Sequence, residues 1–257
     1  MTKAVTSPPE WRRRAALVAS GPKVQFPPSP SDGPDVSGGW RGPSGRVELG
    51  ASALGGWAAL ERGDDDVAGP AAARCRAFAW EQPDDAAGVL LGWEDGRPVE
   101  PLARAHAFGQ PYGDVGAAVA FLARSFEEGG DVEDLDAAVE LHDLVVALGE
   151  GVWQPQGALV GWGGALLYGI TGEDAFLATA ERMADVLAET QAPSGAWRSA
   201  GGDGDGNGGN SGRDDAGNSD ELLTQLCAAT LVAMADAVEA RAEVERALAA
   251  SSDEDDQ

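Results

Sequence analysis

Three carboxylates lie where helices are predicted to begin, and they could supply acid–base chemistry. Asp114 lies in the segment PYGDVG, and Asp220 and Glu221 lie in NSDELL. Cleavage of a glycosidic bond requires two opposed carboxyl groups, one that donates a proton and one that acts as base or nucleophile. Aspartate is also a common cap at a helix N-terminus, so the same residues fit a purely structural role. The sequence leaves both roles open.

Aromatic residues gather in and beside the segments 83–114, 149–161 and 192–219, where they could hold a ligand. Flat aromatic faces suit sugar rings or isoprenoid cations, whereas tryptophans that plug the ends of a helical barrel follow the same pattern. Of the two histidines, His106 lies in a loop with Phe108 and is the better functional candidate. The candidate binding residues are Trp93, His106, Tyr112, Trp153, Trp162 and Trp197.

A glycine- and aspartate-rich segment contains a partial match to a calcium-binding loop. Asp203, Asp205, Asn207 and Asp214 occupy positions 1, 3, 5 and 12 of the pattern, with Gly208 at its turn. Oxygen ligands around such a turn suit Ca²⁺, although position 12 normally carries a longer, bidentate glutamate. The alternative is a flexible linker. Ca²⁺ is therefore the candidate cofactor, and the sequence requires no other.

The charge balance and the cysteines narrow the class of protein. The chain has 43 acidic and 18 basic residues and a formal net charge of −25, which argues against nucleic acid and anionic membrane surfaces as partners. Cys75 and Cys227 lack metal-ligand spacing, so we expect two reduced core residues. No stretch has the length of a membrane span or the pattern of a signal sequence, and no phosphate-binding glycine motif is present. The expectation is a soluble cytoplasmic protein without nucleotide chemistry.

Composition divides the chain into three parts. Residues 1–46 hold eight prolines among serines and glycines, which predicts a disordered arm with Phe26 and Trp40 as its anchors. Residues 47–250 have the apolar content of one folded domain. Residues 251–257, SSDEDDQ, form an acidic tail.

The folded domain has the pattern of alternating buried and amphipathic helices. Helices that are apolar almost all round are followed, after a glycine turn, by helices with one polar face. Gln82 lies 19 residues after Gly63, and Gln191 lies 19 residues after Gly172, which indicates an internal repeat. The predicted helix pairs are 49–60 with 70–82, 115–126 with 131–148, and 162–170 with 173–191, followed by a fourth inner helix, 220–238, with an incomplete partner at 241–250. The prediction is an all-α array of about three and a half helical hairpins.

Residues 167–197, LYGITGEDAFLATAERMADVLAETQAPSGAW, link this array to known proteins. The run resembles the hairpin repeat of (α/α) toroid proteins, the six-hairpin glycosidase and epimerase superfamily. The residues that match the QW motif of terpenoid cyclases are Leu187, Gln191, Gly195 and Trp197. In the first repeat Leu90 stands where the tryptophan of that motif would be. The resemblance covers roughly residues 49–240 and concerns fold more than chemistry.

The resemblance implies an incomplete ring. Closed toroids of these families use about six hairpins, so this chain would form an incomplete (α/α) toroid or one that a homodimer completes. The aromatic segments would then lie at one rim, beside the N-terminal ends of the inner helices. The implied function is a carbohydrate-active protein of the six-hairpin kind, glycoside hydrolase-like if catalytic, with a sugar or small molecule as ligand. The alternatives are a terpenoid-cyclase-like protein, whose Asp-x-Asp-Asp acid is absent here, and a non-catalytic binding or assembly module.

Overall fold

The computed structural model describes residues 39–42, 45–83, 87–197 and 213–254. Within these ranges the chain is mostly helical and carries one small antiparallel sheet. The helices are α1 (Leu49–Leu60), α2 (Asp65–Trp80), α3 (Tyr112–Gly129), α4 (Val132–Ala147), α5 (Ala158–Thr171), α6 (Asp174–Thr190) and α7 (Arg213–Glu254). The strands are β1 (Val47–Glu48), β2 (Gly88–Glu94) and β3 (Arg97–Arg104), and short 3-10 helices span Glu150–Val152 and Pro155–Gly157.

Helices α1 to α6 form three hairpins, in which α1 packs on α2, α3 on α4 and α5 on α6. Each hairpin turns at a glycine with a positive φ angle, which is 68° at Gly63, 72° at Gly130 and 74° at Gly172. This left-handed conformation ends a helix with little strain only when the residue is glycine. The glycine turns predicted from the sequence are therefore present in all three hairpins.

The first helix of each hairpin belongs to an inner row. Helix α1 packs on α3, α3 on α5 and α5 on α7, while α2, α4 and α6 form an outer layer. A Cβ atom on Gly56 would lie 2.4 Å from the Phe121 ring, and one on Gly116 would lie 2.4 Å from the Leu159 carbonyl carbon. Only glycine fits at these two contacts between inner helices, because any side chain would push the helices apart. The predicted array of inner and outer helices is thus present.

Helix α7 is the fourth inner helix. It contains the predicted segment 220–238 without a break and extends four residues into the predicted acidic tail, to Glu254. Its packing surface on α5 and α6 has helical spacing. The buried residues of this stripe are Cys227, Thr230, Leu231, Met234 and Val238.

Part of α7 is long and apolar enough to cross a membrane, contrary to the prediction that no stretch reaches this length. The segment Leu223–Val244 has a mean hydropathy of 1.3, and 28% of it is buried. Length and composition alone are weak evidence for a membrane span, since core helices of other proteins pass the same test. One face of this segment packs on α5 and α6, as an inner helix of the array does.

The segment 83–114 contains a β-hairpin where a loop was predicted. Strand β2 pairs with β3, so that Trp93 lies opposite Pro98. The turn between them has positive φ angles at Asp95 (50°) and Gly96 (80°), as in a two-residue type I′ turn. The Asp-Gly dipeptide was the sequence signal for this hairpin, and helical periodicity does not reveal it. The molecule is therefore mostly helical rather than purely α.

Helix α2 begins more than one turn earlier than predicted. The prediction placed Pro70 in its first turn, whereas the structure starts the helix at Asp65, with Asp66 also in the first turn. Negative charge at this end complements the exposed N–H groups and the helix dipole. Pro70 is tolerated one turn later because it removes a single hydrogen bond, the one to the Asp66 carbonyl.

The folded part also begins earlier than residue 47. Trp40 is buried, and its backbone N–H donates to Ser52 Oγ at 3.0 Å. Its indole lies against Gly55, where a Cβ atom would be 2.4 Å from the ring. Trp40 therefore packs onto α1, as predicted for an anchor, although it lies within the predicted arm 1–46. The second predicted anchor, Phe26, lies outside the described residues.

Candidate functional site

The N-terminal ends of the inner helices meet at one edge of the array. The Asp114 carboxyl group in α3 lies against Gly50 in α1, where a Cβ atom would be 2.5 Å from the carboxyl carbon. The Gln156 carbonyl before α5 lies against Gly113 in the same way, at 2.7 Å. We call this edge the rim; its loops are 105–111, 149–157 and 191–197. The helix starts and loops that the sequence assigned to one rim are therefore adjacent here.

Trp197 plugs the end of the third hairpin instead of lining a site. The side chain is 1% exposed, and its Nε1–H donates to the Leu187 carbonyl at 2.8 Å. Its backbone N–H donates to Thr224 Oγ1 at 3.0 Å, and Gln191 Nε2 donates to the Gly195 carbonyl at 3.0 Å. The residues that match the QW motif thus fasten the loop after α6 onto α6 and α7. Their role is structural.

Gln82 fastens the first hairpin in a related way. Its Nε2 donates to the carbonyls of Phe78 and Leu90, both at 2.9 Å, and its Oε1 accepts from the Leu90 N–H at 2.8 Å. Leu90, which takes the place of the motif's tryptophan, is a residue of β2. The two glutamines of the internal repeat therefore share the task of holding the chain where it leaves an outer helix.

Tyr112 and Trp162 are also interior residues. Tyr112 is fully buried, with its hydroxyl 2.5 Å from the Arg104 carbonyl and 2.6 Å from that of Ala107, and burial raises its pKa. Trp162 is buried against Trp57, with ring centroids 4.7 Å apart. Neither ring offers a free face of the size that a sugar requires. Both residues therefore fit the alternative interpretation, in which aromatic side chains fill the end of the helical array.

Trp93 and His106 lie apart from each other. Trp93 is half-buried in β2, with its ring centroid 5.2 Å from that of Phe78 and with the Arg74 guanidinium 4.7 Å from the ring. His106 is exposed on the rim, has a φ of 54°, and donates its backbone N–H to the Leu148 carbonyl at 2.8 Å. Trp93 therefore packs between the sheet and α2. The backbone of His106 forms part of a turn.

Trp153 is the predicted aromatic residue that faces an open groove. This rim groove has a volume of about 500 Å³ and lies between the loop after α4 and the end of α6. Its lining residues are Phe108, Trp153, Gln154, Pro155, Thr190, Ala192, Pro193 and Ala196. Phe108 is 69% exposed, a large value for a phenylalanine in a folded domain. The groove thus has two aromatic walls that solvent can reach.

One face of Trp153 is covered by an ion pair. The Arg182 guanidinium carbon lies 4.1 Å from the centroid of the Trp153 ring. Its Nη2 lies 2.8 Å and 3.0 Å from the two carboxylate oxygens of Glu150. The cation–π contact and the ion pair hold the indole in one orientation and neutralise the charge of Arg182. Arg182 and Glu150 were missed, because the polar face of an outer helix and a loop glutamate give no distinguishing sequence pattern.

The polar groups of the rim groove are mostly committed to the backbone. Gln154 Nε2 donates to the Gly151 carbonyl at 2.7 Å, and its Oε1 accepts from the Gly109 N–H at 3.2 Å. Thr190 Oγ1 donates to the Val186 carbonyl at 2.7 Å. Among the described residues, none that line this groove is charged. The groove therefore suits an uncharged ligand that binds through flat, apolar faces.

Asp114 is the predicted site carboxylate whose pKa departs clearly from its ordinary value. Burial, with a further contribution from the negative charge of Glu48, raises its pKa from 3.8 to about 6. A carboxyl group with such a pKa is partly protonated near neutral pH and can donate a proton. Glu48, the residue before α1, is therefore the carboxylate that the structure brings near Asp114. The sequence did not single it out.

Asp220 and Glu221 belong to α7, which packs on α5 and α6, whereas Asp114 belongs to α3. Cys227 of α7 is level with the rim, because its Sγ lies 3.6 Å from the Pro155 carbonyl. Glu221 precedes Cys227 by six residues, which is roughly 9 Å of helix, and it is exposed. The backbone of Asp220 belongs to the same turn. The predicted pairing of Asp114 with either residue remains a prediction, and Glu48 is the alternative.

The predicted calcium ligands are largely outside the described part of the chain. Asp203, Asp205 and Asn207 lie there, and Asp214 belongs to the first turn of α7. Across the described residues there is no group of three or more His, Cys, Asp and Glu side chains that could hold a metal ion. The calcium site stays a prediction.

His142 and the two cysteines are core residues. His142 is buried, with Nε2 3.1 Å from Thr179 Oγ1 and its ring centroid 4.9 Å from that of Phe176. Burial lowers the pKa of His142, although Asp143 acts in the opposite direction. Cys75 and Cys227 are buried and unpaired, as predicted, and burial raises the pKa of each thiol. Neither thiol is available as a nucleophile at neutral pH.

Comparison with protein-family models, with curated proteins and with solved structures found no match to this chain.

Proposed function

We propose that the protein is a carbohydrate-active protein of the six-hairpin kind that binds an uncharged glycan in the rim groove. The observation that carries the proposal is the pair of accessible aromatic walls, Phe108 and Trp153, in a groove without charged lining residues among those described. The C–H faces of pyranose rings stack on aromatic rings, and a volume of about 500 Å³ is in the range of small-ligand sites.

Arg182 and Glu150 support this proposal by fixing Trp153. A sugar stacks best on a ring that is already held in place, since no side-chain entropy is then lost on binding. Because Arg182 occupies one face of the indole, a stacked ligand would have to use the opposite face or the ring edge in the groove. Because Glu150 pairs with Arg182, the guanidinium charge is balanced. It therefore does not favour an anionic sugar over a neutral one.

The test is calorimetry with neutral disaccharides of glucose, galactose and mannose. We expect at least one to bind the wild-type protein, and the double change Phe108→Ala with Trp153→Ala to weaken it by about tenfold or more. Trp80→Ala is the matched control, because it removes an exposed indole outside the rim groove. Equal affinities in all three proteins would exclude the groove as the site.

Glycoside hydrolysis is a second candidate function, favoured by the raised pKa of Asp114. In this version Asp114, which does not line the rim groove, donates a proton to the leaving-group oxygen, and Glu48, Asp220 or Glu221 is the second carboxylate. We expect Asp114→Asn to abolish turnover of a nitrophenyl glycoside while disaccharide binding persists. Glu48→Gln and Glu221→Gln then identify the partner. If no variant lowers a measurable turnover, the protein binds glycans without cleaving them.

The terpenoid-cyclase-like alternative has less support. Its resemblance depends on Leu187, Gln191, Gly195 and Trp197, and these residues pack and fasten a loop. An isoprenoid site would also need a strong acid beside a dry aromatic cavity. Binding of a polyprenyl diphosphate that raises the melting temperature more than any disaccharide does would reverse this order.

We also propose that a second copy of the chain completes the ring. The segment Leu223–Val244 of α7 is apolar over most of its length yet only 28% buried, and α7 is the last inner helix of the array. Such a surface usually marks an interface. Light scattering should give twice the monomer mass of 26.3 kDa at micromolar concentration. A compact monomer that binds no apolar dye would contradict the dimer.

A further inference from the structure

A second groove lies on the first hairpin, where the chain leaves α2. It has a volume of about 680 Å³ and is bounded by the C-terminal end of α2, the start of β2 and the outer surface of α4. Its lining residues are Ala79, Trp80, Gln82, Pro83, Ala87, Gly88, Val89, Ala105, Glu140, Leu144, Ala147 and Leu148. We call it the α2–α4 groove. The rim groove and the α2–α4 groove have no described lining residue in common, and Asp114 lines neither of them.

Trp80 is the feature of this groove that most needs an explanation. It is the last residue of α2 and is 53% exposed, although the neighbouring residues Ala79 and Phe78 are buried. A surface tryptophan exposes a large apolar area to water, and its ring face attracts cations. Leu144 of α4 provides a half-buried aliphatic surface in the same groove. The groove thus offers an apolar floor with an aromatic wall.

The electrostatics of the α2–α4 groove favour positive charge. Glu140 is an exposed carboxylate of the lining, and no ion pair involves it among the described residues. Helices α2 and α4 both end beside the groove, at Trp80 and Ala147, and helix C-terminal ends carry partial negative charge. The chain as a whole has a net charge of −25. A cation with an apolar stem would find one carboxylate, one exposed indole and an aliphatic surface among the described lining residues.

We infer that the α2–α4 groove binds an organic cation, a guanidinium or ammonium group carried on an aliphatic chain. The cationic group lies between the Trp80 ring face and the Glu140 carboxylate, and the aliphatic stem packs on Leu144. Such a group belongs either to a free amine such as agmatine or to an arginine side chain of a peptide. This inference does not depend on the proposed glycan site, because the two grooves have different residues.

The test is calorimetry at low ionic strength with butylguanidinium and with its uncharged analogue butylurea. We expect the wild-type protein to bind butylguanidinium and to show no heat with butylurea. Glu140→Gln and Trp80→Ala should each weaken butylguanidinium binding by about fivefold or more. The control Glu239→Gln, which removes an exposed carboxylate of α7, should leave it unchanged. Raising the salt to 0.5 M should weaken binding through screening.

A second experiment distinguishes the two sources of the cation. Agmatine is compared with a short peptide that contains one arginine and with the same peptide carrying uncharged citrulline. Tighter binding of the arginine peptide than of agmatine indicates a peptide ligand, and the reverse order indicates a free amine. The inference is overturned if butylurea binds as well as butylguanidinium, or if both variants bind butylguanidinium as the wild type does. Both variant sites are exposed, so folding should survive, and circular dichroism verifies it.

Discussion

The rim groove and the α2–α4 groove both lie where an outer helix ends, yet their charged residues are arranged differently. Beside the rim groove, outside its lining, the carboxylate of Glu150 pairs with Arg182, and that guanidinium covers one face of Trp153. In the α2–α4 groove the carboxylate of Glu140 has no such partner among the described residues, and Trp80 has no cation over its ring there. The charge of Arg182 beside the rim groove is thus balanced within the protein. In the α2–α4 groove, the charge of Glu140 is open to pairing with a cation from outside the protein.

We infer that the hairpin repeat determines where grooves form, whereas other residues determine which ligand each groove binds. The glycine turns and the glutamines hold the ends of the outer helices in place. The side chains that decide the ligand, such as Arg182 and Glu140, lie on the polar faces of those helices, where packing does not constrain them. The following predictions each alter one element of this comparison.

The largest effect is expected from the two tryptophans of the third hairpin and its rim. Trp197→Ala should lower the free energy of unfolding by about 3–5 kcal/mol, because a fully buried ring and its hydrogen bond are lost. Trp153→Ala should cost only about 1–2 kcal/mol, since its ring is half-buried. Urea denaturation of both variants measures the difference. Equal losses would mean that Trp153, like Trp197, is a plug, and would remove the main support for the rim groove as a site.

Asp114 is a half-buried carboxylate whose pKa is raised, unlike the exposed carboxylates of Glu140 and Glu150. Its folded-state pKa of about 6 is raised from 3.8, so its contribution to stability is full below pH 3.8 and is lost as the pH rises through 6. The change amounts to about 2–3 kcal/mol. Asp114→Asn should therefore stabilise the protein at pH 7 and make little difference at pH 4. Asp185→Asn, on an exposed position of α6, is the control and should not change the pH profile. Parallel profiles for wild type and Asp114→Asn would contradict the raised pKa.

A smaller effect is expected when the ion pair beside Trp153 is broken. Glu150→Gln should lower stability by no more than about 1 kcal/mol, because both partners are largely exposed. It should also leave Arg182 unpaired, so that a glucuronide binds a fewfold more tightly than the corresponding neutral glucoside. Calorimetry with this pair of sugars measures the ratio. An unchanged ratio would show that Glu150 does not set the neutral character of the groove.

The sequence predicted the helical hairpins better than it predicted the site. Periodicity and the glycines at 63, 130 and 172 were sufficient for the inner and outer helices, since these depend on local turns and on burial. The β-hairpin was missed because its signal was one dipeptide, Asp95-Gly96. The two strands include Gly88, Gly92, Pro98 and Pro101, which obscure the alternating pattern typical of strands.

The aromatic residues chosen as site candidates fall into two groups, buried residues and groove-lining residues, and the sequence does not distinguish them. Tyr112 and Trp197 are buried, whereas Trp153 faces a groove, and all three are aromatic residues of one rim. Which ring turns inward depends on contacts between segments far apart in the chain, such as that of Trp197 with Thr224. The same holds for Glu48 and Asp114, whose proximity follows from the packing of α1 on α3.

The most direct test of the glycan proposal follows the indole N–H signals of the protein by NMR during titration with the best-binding neutral disaccharide. Trp153→Phe and Trp80→Phe assign the two signals of interest. We expect the Trp153 signal to shift in a saturable manner, while those of Trp80 and the buried Trp197 stay in place. A shift confined to signals other than that of Trp153, or no shift with any neutral sugar, would contradict it.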